Sequence, residues 1–349
     1  MKSAMPLAMM LADPVAALSL DAADWPALLS IARLERLEGS LAYRLADLPL
    51  PASIGRDLDT IRSAAAVAQR QALWEVEMAR RALASVGLSP ILLKGSAFAF
   101  AGLPPAPGRH VGDLDILLPR DQLDRAERVL LDAGYAWVKD DLYTQAYYRN
   151  WMHELPPLAH GERGSMIDVH HSILPLTARR TPDAAALIRD SIEIADGLRI
   201  LAPADMIVHA AAHLFADGDL SGGLRNLWDI DRLLRLFGSD RDFWPQLGER
   251  AALHQLREPV ALALRLTSRL FATPVEPRIA GHDRMRDTAF MRCLLARDGW
   301  GRPTRPFTRL GFYVRSHWMR MPPLLLTRHL WTKARMRRER DVEQGPELR

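Results

Sequence analysis

Asp113 and Asp115, in the run Gly-Asp-Leu-Asp-Ile-Leu-Leu, are the residues of this 349-residue chain best placed to do chemistry. The run reads as a strand, and a strand alternates its side chains, so both carboxylates face one way, roughly 7 Å apart. Leu114 and Ile116 face the other way, into a core. Two acids side by side on an apolar strand repel each other and resist burial, and a divalent cation relieves both problems. Upstream, the apolar segment Ser89 to Leu93 runs into Lys94-Gly95-Ser96. A turn from strand to helix there would offer backbone N–H groups and a hydroxyl to a phosphate. Carboxylates for Mg²⁺ beside a turn for phosphate point to nucleotide chemistry.

This pairing resembles the nucleotidyltransferase superfamily that includes DNA polymerase β and the aminoglycoside nucleotidyltransferases. There a Gly-Ser turn is followed by an Asp-x-Asp strand and later by a third carboxylate on another strand. The closer match is the branch called uncharacterised nucleotidyltransferases, carried here by Leu93-Lys94-Gly95, Arg109, Asp113-Leu114-Asp115 and Asp168-Val169-His170. The resemblance is specific over about residues 88–175 and looser to about 235. It departs in the gap from Ser96 to Asp113, which is lengthened by Pro104-Pro105-Ala106-Pro107-Gly108. A loop of different shape over the site is the consequence.

The resemblance implies an α+β fold: a polymerase-β-like core of a small mixed sheet with helices, flanked by N-terminal and C-terminal helical regions. It implies transfer of an NMP from an NTP, ATP among them, to an acceptor hydroxyl or phosphate, with release of pyrophosphate. Asp113, Asp115 and Asp168 would hold two Mg²⁺ ions about 3.5–4 Å apart. Asp168 would complete the ion nearest the acceptor or take the acceptor's proton. Gly95, Ser96 and Lys94 would hold the triphosphate, and Arg109 would reach a phosphate bidentately. The bland alternatives are solvent-facing aspartates, a simple turn and a surface arginine. Lysine occurs only at positions 2, 94, 139 and 333, which makes Lys94 stand out in a chain that otherwise uses arginine. His170 shares a face with Asp168 and either lines the acceptor side or is structural.

The elements that must position these residues follow from hydrophobic spacing. Residues 12–50 are helical in pattern, and a long helix over about Ile54 to Val86 is stopped by Gly87. Val111 to Leu118 is the Asp-x-Asp strand. A helix follows with Leu123, Ala126, Val129, Leu130 and Ala133 on one face, then a strand over Tyr135 to Lys139. Further strands are expected around 149–157 and 165–171, with Gly161 to Gly164 as a hairpin turn. After Pro175 the pattern turns helical and stays so, with helices at 202–215, 223–237, 243–271 and 285–297. The division is 1–87 helical, 88–175 α/β core and 176–349 helical with a basic tail.

Asp205, His209 and His213 recur every four residues on one helix face. They read as interhelical hydrogen bonding or a nucleotide-facing surface rather than zinc, because Ala210 replaces the glutamate of the zinc-protease motif. Asp229 and Asp231 point apart on a helix and are either solvated or paired with Arg225, Arg232 and Arg235.

Cys293 is the single cysteine, which excludes an internal disulfide framework and fits a reducing compartment. No apolar stretch reaches eighteen residues, so a transmembrane helix is not expected and the protein is assigned to the cytoplasm. From Gly301 onward twelve basic residues face four acids, against a net +4 for the whole chain. That tail favours an anionic partner, and the run Trp318 to Arg340 reads as a terminal helix, a membrane-surface helix or a nucleic-acid contact. The acceptor is a small molecule, a peptide or protein, or RNA. Two other readings stay open: a catalytically inactive nucleotide-binding or partner-binding protein of the same fold, and a toxin-like transferase that modifies tRNA.

Overall fold

The computed structural model describes residues 3–195, 197–217, 220 and 222–320. Helices α1 (Met5–Ala12), α2 (Trp25–Leu34), α3 (Glu38–Arg44) and the long α4 (Ala52–Ala84) come first. The sheet region follows as β1 (Ile91–Leu92), α5 (Lys94–Phe100), β2 (Asp113–Leu117), α6 (Leu123–Asp132), β3 (Tyr135–Trp137), α7 (Leu142–Trp151), β4 (Leu158–His160) and β5 (Met166–His170). Then come α8 (Ala184–Arg189), β6 (Ile192–Ala195) and β7 (Leu198–Ile200). The chain continues through α9 (Pro203–Ala212), α10 (Gly223–Phe237), α11 (Phe243–Leu253), α12 (Arg257–Phe271), α13 (Pro277–Ala280), α14 (Met285–Leu295) and α15 (Pro306–Arg320). This is an α+β fold.

One mixed sheet runs in the order β3-β4-β5-β2-β1-β7-β6. β2 lies at its centre, antiparallel to β1 and parallel to β5. Leu114, Ile116, Ile167 and Val169 are buried on one face of these two strands, as their alternation requires. The amphipathic α10 buries Leu224, Leu227, Ile230, Leu233 and Leu234, each worth about 1.5–3 kcal/mol of transfer free energy.

Two expectations need correction. The chain does not stay helical after Pro175: β6 and β7 form a hairpin, and β7 joins the sheet parallel to β1. The region expected as a strand around 149–157 is helical to Trp151, and a bridge from Glu154 to His170 precedes β4. Pro156 and Pro157 lack the N–H groups that a continuous ladder needs. The Asp141 carboxylate caps α7 by accepting from the Thr144 N–H at 2.8 Å. Of the basic run from Trp318 to Arg340, residues 321 onward lie outside the described residues. No described helix is long and apolar enough to cross a membrane.

Candidate functional site

Across the parallel pair β2–β5, Asp115 stands opposite Asp168, Asp113 opposite Met166, and Leu117 opposite His170. Partners in register present their side chains to one face. Asp113, Asp115, Asp168 and His170 therefore rise together on the face opposite the apolar core. Ligand atoms of Asp115, Asp168 and His170 lie within 4.8 Å of one another, whereas Asp113 stands outside that group at the exposed start of the strand.

Asp115 is heavily partnered. Lys94 Nζ donates to its Oδ1 at 2.7 Å, and His170 Nε2 lies 3.0 Å from the same oxygen. Burial alone would raise this carboxyl, but the Lys94 ammonium and His170 outweigh it and hold the group well below the usual carboxylate range. Lys94 reaches this position because the Leu93 N–H is bonded to the Asp115 carbonyl at 3.0 Å, which brings the end of β1 against β2. Its own φ is 48°, a left-handed conformation that a lysine adopts only at a cost of about 1–3 kcal/mol.

Asp168, directly alongside, has the opposite environment. Its Oδ1 is buried with no hydrogen-bond partner. Burial, followed by the nearby charges of Glu154 and Asp115, pushes its carboxyl up to about 7. An orphaned, buried carboxylate oxygen beside a second carboxylate is what an oxygen-seeking divalent cation would satisfy. The donor set fits such an ion.

Glu154 enters the site from the irregular segment after α7. Its Oε2 lies 3.3 Å from His170 Nδ1, so His170 is held between Asp115 and Glu154. Burial pushes His170 down, but these two acids carry it above its ordinary value. Tyr148 on α7 is pushed up to about 12 by burial and by Glu154 and Asp168, so its hydroxyl keeps its proton. The sequence reading did not single out Glu154 or Tyr148. The Asp141 cap and the aromatic spacing Tyr143, Tyr147, Trp151 were signals that could have placed α7. Nothing local marks Glu154.

Gly95 owes its identity to Arg109. A Cβ at position 95 would lie 1.9 Å from Arg109 Nη1, so the guanidinium packs directly on the glycine. Arg109 is buried; its Nε donates to Asp229 Oδ2 at 2.9 Å and its Nη1 to the His110 carbonyl at 3.2 Å. This ties the loop before β2 to α10. The Ser96 hydroxyl donates to the Leu93 carbonyl at 2.8 Å, which leaves backbone N–H groups as what the turn can offer an anion.

The helix face expected from Asp205, His209 and His213 divides its work. Asp205 takes a bidentate Arg250 at 2.7 and 2.6 Å, an interhelical pair. His209 and His213 line a small cavity behind Lys94 and Arg109. None of the three belongs to a metal-capable group among the described residues. Asp229 and Asp231 are buried rather than solvated: Asp229 pairs with Arg109, and Asp231 with Arg232, Arg235 and Thr273.

The model of a family described as uncharacterised nucleotidyltransferase matches residues 21–272. No curated protein matches the sequence.

Proposed function

The chain belongs to the uncharacterised nucleotidyltransferase family, and we propose that it transfers an NMP from an NTP to an acceptor hydroxyl or phosphate. The acceptor oxygen forms a bond to the α-phosphorus, the bond to the β-phosphate oxygen breaks, and pyrophosphate leaves. The observation that carries this reading is the pair Asp115 and Asp168, side by side in register with one buried oxygen unpartnered. Asp113, Asp115 and Asp168 would hold two Mg²⁺ ions, which when bound neutralise the charge developing on the transferred and leaving phosphates.

The remaining roles belong to this chain's own groups. Lys94 is a compact, rotatable cation already at the carboxylates, suited to a phosphate oxygen. Gly95 and Ser96 supply backbone N–H groups, and Arg109, held by Asp229 and the His110 carbonyl, keeps the turn in place. His170, held by Glu154, fixes the orientation of Asp115. Asp168 would complete the ion nearest the acceptor, and a carboxylate at that place can also take the proton of an acceptor hydroxyl. The cytoplasm stays the proposed location, supported by the single, buried Cys293.

The test is pyrophosphate release from each of the four NTPs with Mg²⁺, offering small-molecule, protein and RNA fractions of a cell extract as acceptors. Release should require one fraction and vanish in Asp113→Ala. Nucleotide bound in a metal-dependent way with no release from any fraction would sink the transferase reading in favour of a binding protein.

A further inference from the structure

The middle of α4 is thinly packed on the core. Between Leu58 and Val76 none of its residues is buried, although the helix is 33 residues long. Ala64, Ala65 and Ala68 face a cleft of about 490 Å³, whose opposite wall is α3 and the loop before β2. A second cleft, of about 550 Å³, continues along α4 to Ser96 and Asp113, and His110 and Ala68 line both. These volumes fall within the range of about 300–1,000 Å³ typical of small-molecule sites.

The first cleft is cationic. Arg33, Arg36 and Arg109 line it against one acid, Glu38, which is already bonded to Arg33 at 2.9 Å. His110 lines it too, as a neutral ring that burial and then Arg36 push below its ordinary value. Arg109 is likewise committed to Asp229. Arg36 is different. It sits in the turn between α2 and α3 with φ 55°, and no carboxylate pairs with it among the described residues. A Cβ on Gly112 would find His110 Nε2 at 3.6 Å and Arg36 Nη1 at 4.0 Å. Both side chains therefore converge on the residue just before Asp113. Behind them Arg225, on α10, has a buried Nε without a partner. Burial, and after it the crowding of the Arg109 and Arg36 guanidiniums, push Arg225 down to about 10. Such crowding is relieved by a polyanion, and guanidinium forks match phosphate geometry.

We infer that the cleft between α4 and the loop before β2 is a polyphosphate-binding arm, in which Arg36 and His110 hold the terminal phosphates of an NTP or the departing pyrophosphate. This deepens the nucleotidyl-transfer reading and rests on it for the identity of the anion. The contacts come from the N-terminal turn at Arg36 and from the loop at His110, outside the Lys94-Gly95-Ser96 turn. The alanine face of α4 leaves the room, and the continuity through His110 brings the arm to Asp113.

The test uses the full chain in EDTA, with inorganic tripolyphosphate as the probe and calorimetry as the readout. Wild type should bind it, and Arg36→Gln should weaken binding at least about tenfold. Ala68→Glu, an acid placed in the cleft at a half-buried position of α4, should abolish it; both variants are first checked for an unchanged melt. Asp113→Asn should bind as well as wild type or better. An NTP should displace the probe and the corresponding NMP should not. Absence of binding by wild type, or unchanged binding in both cleft variants, would overturn the arm. Equal displacement by NMP would overturn the polyphosphate assignment and leave a phosphorylated acceptor as the source of the anion. No turnover or metal enters this assay, so its failure and the failure of the transferase reading are separable.

Discussion

In the C-terminal helices, Asp287 is met by Arg265 through bonds of 2.6 and 3.1 Å and by the Arg284 N–H at 3.1 Å. Asp205 is met by Arg250 in the same bidentate way, and Asp231 by two arginines and Thr273. On the open face of the sheet, Asp168 has no cation bonded to it among the described residues, and its Oδ1 is buried without a partner. Asp205, Asp231 and Asp287 are wholly buried and Asp168 is half-buried with its Oδ1 inside, yet completeness of pairing is what separates them. Glu35 shows that one orphaned oxygen is not enough, because its other oxygen is bonded to Arg297 at 2.6 Å and its surroundings are helix packing. Asp168 lacks an arginine altogether and lies against a second acid. A fully paired buried acid holds elements together, whereas one left half-satisfied is set aside for something that arrives.

The contrast breaks most visibly on the structural side. Removing Arg265 strands Asp287 in the interior, so Arg265→Ala should lose about 3–5 kcal/mol in urea melts. A loss below about 1 kcal/mol would mean that the paired acids are not what fastens α12 to α14.

Arg109 belongs to both classes, being fully paired yet pressed on the site, and it sharpens the contrast. Gly95→Ala forces a methyl into the Arg109 guanidinium and should cost about 1–3 kcal/mol of stability. In an Arg109→Ala background Gly95→Ala should cost much less than in wild type, since the main obstruction is gone and only Val111 Cγ2, at 3.2 Å from the new methyl, must give. If adding Gly95→Ala to Arg109→Ala still cost as much as it does in wild type, the glycine would serve the turn rather than the arginine.

How much of this was legible before the structure depends on period. Asp113 and Asp115 alternate with Leu114 and Ile116, and Asp168 stands between Ile167 and Val169, so a shared face could be read for each strand, and β2 and β5 lie in register. The long α4 and the apolar stripe of α10 were equally readable from helical spacing. The β6–β7 hairpin has a local signal too: Ile192 to Ile200 alternates and contains Asp196-Gly197, a hairpin dipeptide set among helical patterns. Glu154 was not legible, because it follows a helix end and precedes two prolines, where no period constrains which way a side chain points. The convergence of Arg36 on Gly112 was not legible either, since a tertiary approach across more than seventy residues leaves no local pattern.

The smallest effect is the most direct test of Asp168. Its carboxyl titrates near 3.8 when unfolded and at about 7 in the fold, so across that window the folded chain holds a proton that the unfolded chain has lost. Stability must then fall as pH rises from about 4 through 7, because the unfolded state binds fewer protons there. Asp168→Asn removes the titration. In EDTA, wild type and Asp168→Asn should differ little at pH 4, whereas at pH 8 the variant should be more stable by about 1–2 kcal/mol. That figure is discounted from the full shift because Asp168 is partly exposed and its acidic neighbours relax with it. Adding Mg²⁺ at pH 8 should stabilise wild type and do little for Asp168→Asn, since an amide offers the ion a weaker ligand. Were wild type in EDTA as stable at pH 8 as at pH 4, with Asp168→Asn no better, the carboxylate would be satisfied after all. Asp168 would then belong with Asp205 and Asp287, among the acids that hold the fold rather than the one reserved for an incoming ion.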